Sequence, residues 1–334
     1  MKALVWKGPN DIRVEEVREP ELSAGSVLIR VTSASICGSD IAGYTGRMGN
    51  RSPGQIMGHE FAGVVVDVAG GGGGEWVGRR VTVNPLVTCG VCRACVSGNR
   101  QRCNEATLIG VHRSGGFAEA VSVPLPNAIA LTADFPELLA SLVEPVSHGF
   151  HGARIAVDGI SGGSLLVLGG GPVGLFAALA ARRLGAERIA LLERDPQRVA
   201  LARGMGLTAF ESASDSNADT ERPDVVIDAV GSFATRSLAV ELVRRGGLVV
   251  LDGLAEPTGE FPFMQAIVKE VELRGAFAYA SGDFESAIAA LTADVFGIEA
   301  LVETTSFQRG PATFQAMAAG ELSVLKTVLE VSTP

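Results

Sequence analysis

The run Leu165-Leu166-Val167-Leu168-Gly169-Gly170-Gly171-Pro172-Val173-Gly174 passes from an unbroken apolar segment into a glycine turn and on into a helical pattern. In a G-x-G-x-x-G turn the first glycine permits a tight bend. The second lets backbone approach a pyrophosphate, and the third lets helix and strand pack closely. The helix that follows, expected over Val173–Leu184, turns free N–H groups and the positive end of its dipole toward that place. The motif alone is weak evidence. Here a strand precedes it, a helix follows, and a second strand ends at Glu193, near the distance expected for a carboxylate that binds the adenosine ribose. The reading is therefore a dinucleotide turn with Gly169, Gly171, Pro172, Val173 and Gly174 at the phosphates and Glu193 at the ribose hydroxyls. A carboxylate there repels a 2′-phosphate, which favours NAD. Arg194 and Arg198 keep NADP as the alternative, since an arginine can hold that phosphate; their other reading is a solvated helix start.

Outward from this turn, Ser164–Leu168, Arg188–Leu192, Asp224–Asp228, Leu248–Leu251 and Glu272–Phe277 read as buried strands. Helical patterns alternate with them at Val173–Leu184, Pro196–Met205, Ala234–Arg245 and Asp283–Leu291. Such alternation implies βαβ units and a doubly wound parallel sheet. Beyond about residue 298 one more helix, Pro311–Ala319, and a last strand, Val324–Val331, are expected to return to the first part of the chain. Residues 1 to about 150 read as β-rich, with alternating runs such as Ser26–Thr32 and Glu60–Val68 between Gly, Pro and Asn clusters. Gly70–Gly74 reads as a turn between strands and not as a phosphate loop, because no helix start follows it. Leu165–Ala181 is apolar enough to suggest a membrane span. Its Gly-Gly-Gly-Pro break argues instead for a strand, a turn and a buried helix.

A chain of 334 residues has room for about two domains. With 47% hydrophobic and 19% charged residues it suits a packed protein and not a disordered one. A formal net charge of -9 argues against nucleic acid or an anionic membrane as partner, and 5% aromatic residues leave little for stacking bases. The first residues, Met1-Lys2-Ala3-Leu4-Val5-Trp6, read as a strand with no secretory pattern, so the expected compartment is the reducing cytoplasm.

Four of the five cysteines fall in one run, Cys89, Cys92, Cys95 and Cys103, spaced C-x₂-C-x₂-C-x₇-C. The count is odd and the spacings short, which favours metal ligation over disulfides. The surrounding residues have loop composition with no apolar period, so buried free thiols would lack hydrophobic neighbours. Four thiolates suit a closed tetrahedral zinc site; an iron–sulfur cluster is the competing reading. Cys37, in Ile36-Cys37-Gly38-Ser39-Asp40, precedes Gly58-His59-Glu60. With a carboxylate from Glu60 or Glu144 these residues could give three protein ligands and leave a fourth position open. Each of them alone has a plain structural reading: a core cysteine, a loop Glu-Pro.

Taken together, Cys37-Gly38-Ser39-Asp40, Gly58-His59-Glu60, the four-cysteine lobe, Gly115-Gly116-Phe117-Ala118-Glu119, Glu144-Pro145 and Gly169 to Gly174 resemble the zinc-dependent medium-chain dehydrogenase/reductase family over essentially the whole chain. Glu144-Pro145 followed by His151-Gly152 is most similar to its polyol branch. The resemblance implies an α/β fold: a GroES-like, β-rich catalytic domain (1–153 and 299–334, with a structural-zinc lobe at 88–104) and a Rossmann domain (154–298), with the active site in the cleft between them. It implies two zinc ions per chain. Cys37 and His59 ligate the catalytic one, Glu60 ligates it or sits just behind it, and Glu144 ligates it directly or through water. Asp40 orients His59, and Ser39 accepts the substrate proton.

Two departures matter. The family histidine that ends the proton relay is replaced by Ala42, leaving water, the cofactor ribose or Glu144 as routes. The substrate-binding arginine of the polyol branch is replaced by Ala278, which leaves Tyr279 and Tyr44 as candidate hydroxyl contacts. His148 is expected to be a hydrogen-bonded structural histidine, with lining of the substrate pocket as the alternative; His112 is expected to be structural. The implied activity is oxidation of a secondary alcohol of a polyol or sugar derivative with NAD. The same chemistry on an aliphatic alcohol, threonine or a sugar-alcohol phosphate is the first alternative, and a non-catalytic zinc- and NAD-binding sensor the second. A homodimer or homotetramer is expected.

Overall fold

Ser164–Leu168 forms the expected strand, and Leu165 to Leu168 are all buried. In this computed structural model, which describes residues 1–70, 73–159, 163–215, 221–321 and 324–332, it lies inside a parallel sheet. The order across that sheet is Thr208–Phe210, Arg188–Leu192, Ser164–Leu168, Val225–Asp228, Leu248–Leu251, Glu272–Gly275. Every pairing is parallel, so all the carboxyl ends share one edge of the sheet. The helices Pro172–Arg183, Pro196–Gly204 and Phe233–Leu242 connect the strands, as the βαβ reading requires.

The sheet belongs to one of two compact units, Pro145–Ser286; the other joins Met1–Glu144 to Ala287–Pro334. Within the latter, Ser26–Ser35 pairs antiparallel with Glu60–Val68 on one side and with Lys326–Glu330 on the other, so the last strand lies beside one of the first. Val302–Ser306 extends the sheet beyond it. The core is built around Phe61, Phe117 and Phe314, the last two meeting edge to face at 5.5 Å. Of the Gly70–Gly74 turn, residues 71 and 72 lie outside the described residues.

One expectation needs correction. Glu272–Gly275 is not buried: all four of its residues are exposed, because the strand closes one edge of the sheet. Glu144-Pro145 lies in the first turn of the helix Val143–Asp158, where proline is tolerated because no intrahelical N–H bond is lost. The helix Phe263–Lys269 was not anticipated; its apolar residues Phe263, Met264, Ile267 and Val268 are exposed and supply no one-sided pattern to read.

Candidate active site

Cys37 caps the amino end of the helix Gly38–Tyr44, directly after the long strand Ser26–Ser35. His59 and Glu60 arrive from the neighbouring chain segment, where Glu60 begins the strand Glu60–Val68 and pairs in register with Ser35. Gly58 makes the turn before them with φ +95, and a Cβ there would meet Phe117 at 2.8 Å, so a larger residue would displace His59. The ligand atoms of Cys37, His59 and Glu60 lie within 4.8 Å of one another. A thiolate, an imidazole and a carboxylate gathered at that spacing are a donor set suited to zinc.

Asp40 stands behind His59: its Oδ1 is 3.6 Å from His59 Nδ1 and its Oδ2 accepts from the Cys37 N–H at 3.1 Å. With Nδ1 turned toward Asp40, Nε2 is the nitrogen of His59 that could hold a metal. Burial works against an imidazolium at His59, yet the Asp40 carboxylate and the Cys37 thiolate outweigh it and lift the pKa well above 6.5. Burial likewise opposes the charged Asp40, and His59 with the Cys37 N–H outweighs it, holding this carboxyl below its ordinary value. Ser39 sits half-buried in the first turn of the same helix.

Glu144 does not join the three donors. It is buried in the first turn of Val143–Asp158, and its charge helps to raise the pKa of Lys326. Lys326 and Ser35 were not anticipated. Nζ of Lys326 donates to Glu60 Oε1 at 2.6 Å and to the Ile36 carbonyl at 3.3 Å, and Ser35 Oγ donates to Glu60 Oε2. A lysine inside the apolar run Val324-Leu325-Lys326-Thr327-Val328-Leu329 was the available signal. Tyr44 is buried against Phe314, and its hydroxyl donates to the Asn10 carbonyl at 3.0 Å, so it serves the core. Nδ1 of His112 accepts from the Leu108 N–H at 3.0 Å within its own turn, the structural role expected of it.

In the cysteine lobe, Sγ of Cys89 is 3.9 Å from that of Cys95 and 3.6 Å from that of Cys103, and Cys92 is 3.5 Å from Cys95. These gaps exclude disulfides. They match the separation of about 3.8 Å between corners of a tetrahedron of sulfurs about 2.3 Å from zinc. N–H groups of Val91 and Cys92 draw the Cys89 thiol down to about 6, the direction a metal ligand needs.

In the parallel-sheet unit, Gly169 takes φ +100, and a Cβ on Gly174 would lie 2.0 Å from the Gly169 carbonyl oxygen. Both positions therefore require glycine. Gly171 caps the helix with no side-chain hydrogen bond and Pro172 follows, so the first-turn N–H groups remain available to a phosphate. Val173 lies in that first turn. Glu193 follows the neighbouring strand and accepts from the Gly170 N–H at 2.8 Å and the Asp195 N–H at 3.0 Å. Nη1 of Arg198 is 3.7 Å from Glu193 Oε2.

Comparison with known proteins agrees with both halves. Residues 23–133 match the alcohol dehydrogenase GroES-like domain and residues 172–293 the zinc-binding dehydrogenase domain. An L-threonine 3-dehydrogenase of Chelativorans sp. strain BNC1 is 33% identical over 290 residues, 83% of each chain. The chain belongs to the zinc-dependent medium-chain dehydrogenase/reductase family. Among solved structures, galactitol-1-phosphate dehydrogenase from Escherichia coli superposes with TM-score 0.88 at 26% identity, covering 99% of this chain and 100% of that one. A short chain alcohol dehydrogenase from Escherichia coli CFT073, complexed with NADH, superposes with TM-score 0.89 at 27% identity over 99% of both chains. A family member is an enzyme acting on small-molecule alcohols with zinc and a nicotinamide cofactor, and the sensor alternative is set aside.

Proposed function

We propose that this dehydrogenase oxidises a secondary alcohol bearing a neighbouring polar group (a polyol, a sugar derivative, a sugar-alcohol phosphate or threonine) with NAD. The observation that carries the reading is the convergence of Cys37, His59 and Glu60 in a chain that also holds an uncapped glycine-turn helix end. A zinc ion held by Cys37 and His59 would supply Lewis acidity, so that an alcohol ionises near neutral pH. Ser39 takes the hydroxyl proton, and Asp40 keeps His59 oriented. Glu60, paired with Lys326, would ligate the metal or sit just behind it, and Glu144 is the further carboxylate that could reach it through water. The glycine turn holds the cofactor so that its nicotinamide can accept the hydride.

A threonine dehydrogenase and a sugar-alcohol phosphate dehydrogenase among the relatives support a hydroxyl flanked by polar substituents over a simple aliphatic alcohol. Glu193 supports NAD, because a 2′-phosphate would meet its carboxylate; Arg198 beside it is the feature that favours NADP. The cysteine lobe takes a second, structural zinc. The exposed edge strand Glu272–Gly275, which carries exposed Leu273, together with exposed Phe263, Met264, Ile267 and Phe277 nearby in the chain, supports a homodimer or homotetramer formed through that edge. No helix among the described residues is long and apolar enough to cross a membrane, and we place the enzyme in the cytoplasm. The test is a panel of threonine, polyols, polyol phosphates and aliphatic alcohols with NAD and with NADP, read as absorbance of the reduced cofactor. Turnover confined to simple primary alcohols, or preference for NADP, would overturn these assignments.

A further inference from the structure

His148 and Asp252 form a pair that the metal site does not use. Asp252 follows the strand Leu248–Leu251 and so lies at the carboxyl edge of the parallel sheet. Its side chain is fully buried, and its Oδ1 is 2.7 Å from Nε2 of His148, which projects from the helix Val143–Asp158. One turn further along that helix is Gly152. A Cβ there would lie 3.1 Å from Asp252 Oδ2, so glycine leaves the carboxylate its room. Oδ2 itself is buried with no hydrogen-bond partner among the described residues. Tyr279 meets the His148 ring edge to face at 6.3 Å, after Ala278 turns the backbone through φ +53. A non-glycine residue held in that conformation is the kind of local strain that concentrates at ligand sites.

In a parallel sheet of this kind a dinucleotide lies across the carboxyl ends of the strands. The glycine turn follows Ser164–Leu168 and Glu193 follows Arg188–Leu192, so the adenosine half belongs to that side of the sheet. The other half then extends over Val225–Asp228, Leu248–Leu251 and Glu272–Gly275, where Asp252 and Tyr279 stand. The His148 side chain is 21% exposed, while Asp252 behind it is sealed from solvent. A buried carboxylate at a strand end is costly unless a partner uses its charge.

We propose that the His148–Asp252 pair is a charged contact for the redox end of the dinucleotide and discriminates between its two oxidation states. The inference rests on the nicotinamide reading above. With His148 neutral the pair carries one negative charge and favours the cationic, oxidised nicotinamide. With His148 protonated the pair is neutral and that preference disappears. By reciprocity, replacing the oxidised ring by the reduced one raises the affinity of the pair for a proton taken from solution. The charged group paired with His148 is Asp252, at 2.7 Å. His151 and Arg154, further along, are paired with Asp283 instead, at 3.2 and 2.7 Å.

The test measures dissociation constants of NAD and NADH for the zinc-loaded enzyme between about pH 5.5 and about pH 8.5, the range in which histidine titrates. In the wild type, NAD should tighten relative to NADH as pH rises, by about tenfold across the range. His148→Gln should leave the ratio flat at its high-pH value, because the side chain facing Asp252 then carries no proton to gain. Asp252→Asn should move the transition to lower pH, since His148 loses the carboxylate that favours its charged form. A wild-type ratio that does not change with pH, or a His148→Gln enzyme that keeps the wild-type dependence, would overturn the inference while leaving the cofactor reading intact. Failure of either dinucleotide to bind would overturn both.

Discussion

The ammonium of Lys326 lies 2.6 Å from the Oε1 atom of Glu60, a residue 266 positions earlier, and both side chains are sealed from solvent. The contact ties the last strand to the segment that presents His59, and Ser35 and the Ile36 carbonyl complete its hydrogen bonds. Burial works against the charged lysine, but the Glu60 carboxylate and the Cys37 thiolate outweigh it and raise its pKa above 10.5. Lys326 therefore stays charged at every pH at which the enzyme would work.

Removing one partner should be far more damaging than removing both. Lys326→Met leaves a buried carboxylate uncompensated, and a loss of about 3–5 kcal/mol is expected. Lys326→Met combined with Glu60→Gln should recover a large part of it. Thermal or denaturant unfolding of the single and double variants reads this directly; additive losses would contradict the pairing.

Zinc uptake at Cys37 and His59 should release protons. The raised pKa of His59 means that metal-free protein holds an imidazolium there at neutral pH, which zinc must displace. Zinc affinity is then expected to climb with pH above 6.5. The metal-free protein should behave in the opposite way. His59 contributes stability that is fully present below its unfolded value of about 6.5 and is lost as pH rises through its raised folded value. Calorimetric titration in buffers of different ionisation enthalpy measures the proton release.

The four lobe cysteines should differ in reactivity once metal is removed. Backbone N–H groups bring Cys89 down to about 6, whereas at Cys92 the Cys95 N–H pulls downward but the neighbouring lobe thiols and burial outweigh it, leaving Cys92 raised to about 11. At neutral pH in the presence of a chelator, Cys89 should alkylate well before Cys92, and zinc should protect both. Mass spectrometry of partially alkylated protein gives the order.

Gly174→Ala would drive a methyl group to 2.0 Å from the Gly169 carbonyl. A stability loss of about 1–3 kcal/mol and no measurable NADH binding are expected. NADH fluorescence titration, with unfolding as the companion measurement, checks both.

Much of this architecture was legible in local pattern. Ser164–Leu168, Arg188–Leu192 and Leu248–Leu251 have the expected bounds, because each is an apolar run stopped by a glycine or a charged residue. Cys37, His59 and Glu60 were legible as a donor set, since short motifs carry their own chemistry. What local pattern could not supply was anything dependent on long-range pairing. Lys326 meets Glu60, and His148 meets Asp252, across separations of 266 and 104 residues. The exposure of Glu272–Gly275 follows from its place at the sheet edge, although its alternating charges, Glu272 and Arg274, were a hint. The helix at Glu144-Pro145 was hidden by a proline whose disruptive effect disappears in a first turn.

The central claim is that Cys37 and His59 hold the metal that activates the alcohol, independently of the cysteine lobe. The most direct measurement is NAD reduction by His59→Ala at saturating alcohol and NAD, with zinc counted per chain in the same preparation. The account predicts turnover lost by several orders of magnitude, with one zinc and NADH binding retained. Substantial turnover by a variant holding only the lobe zinc would contradict it.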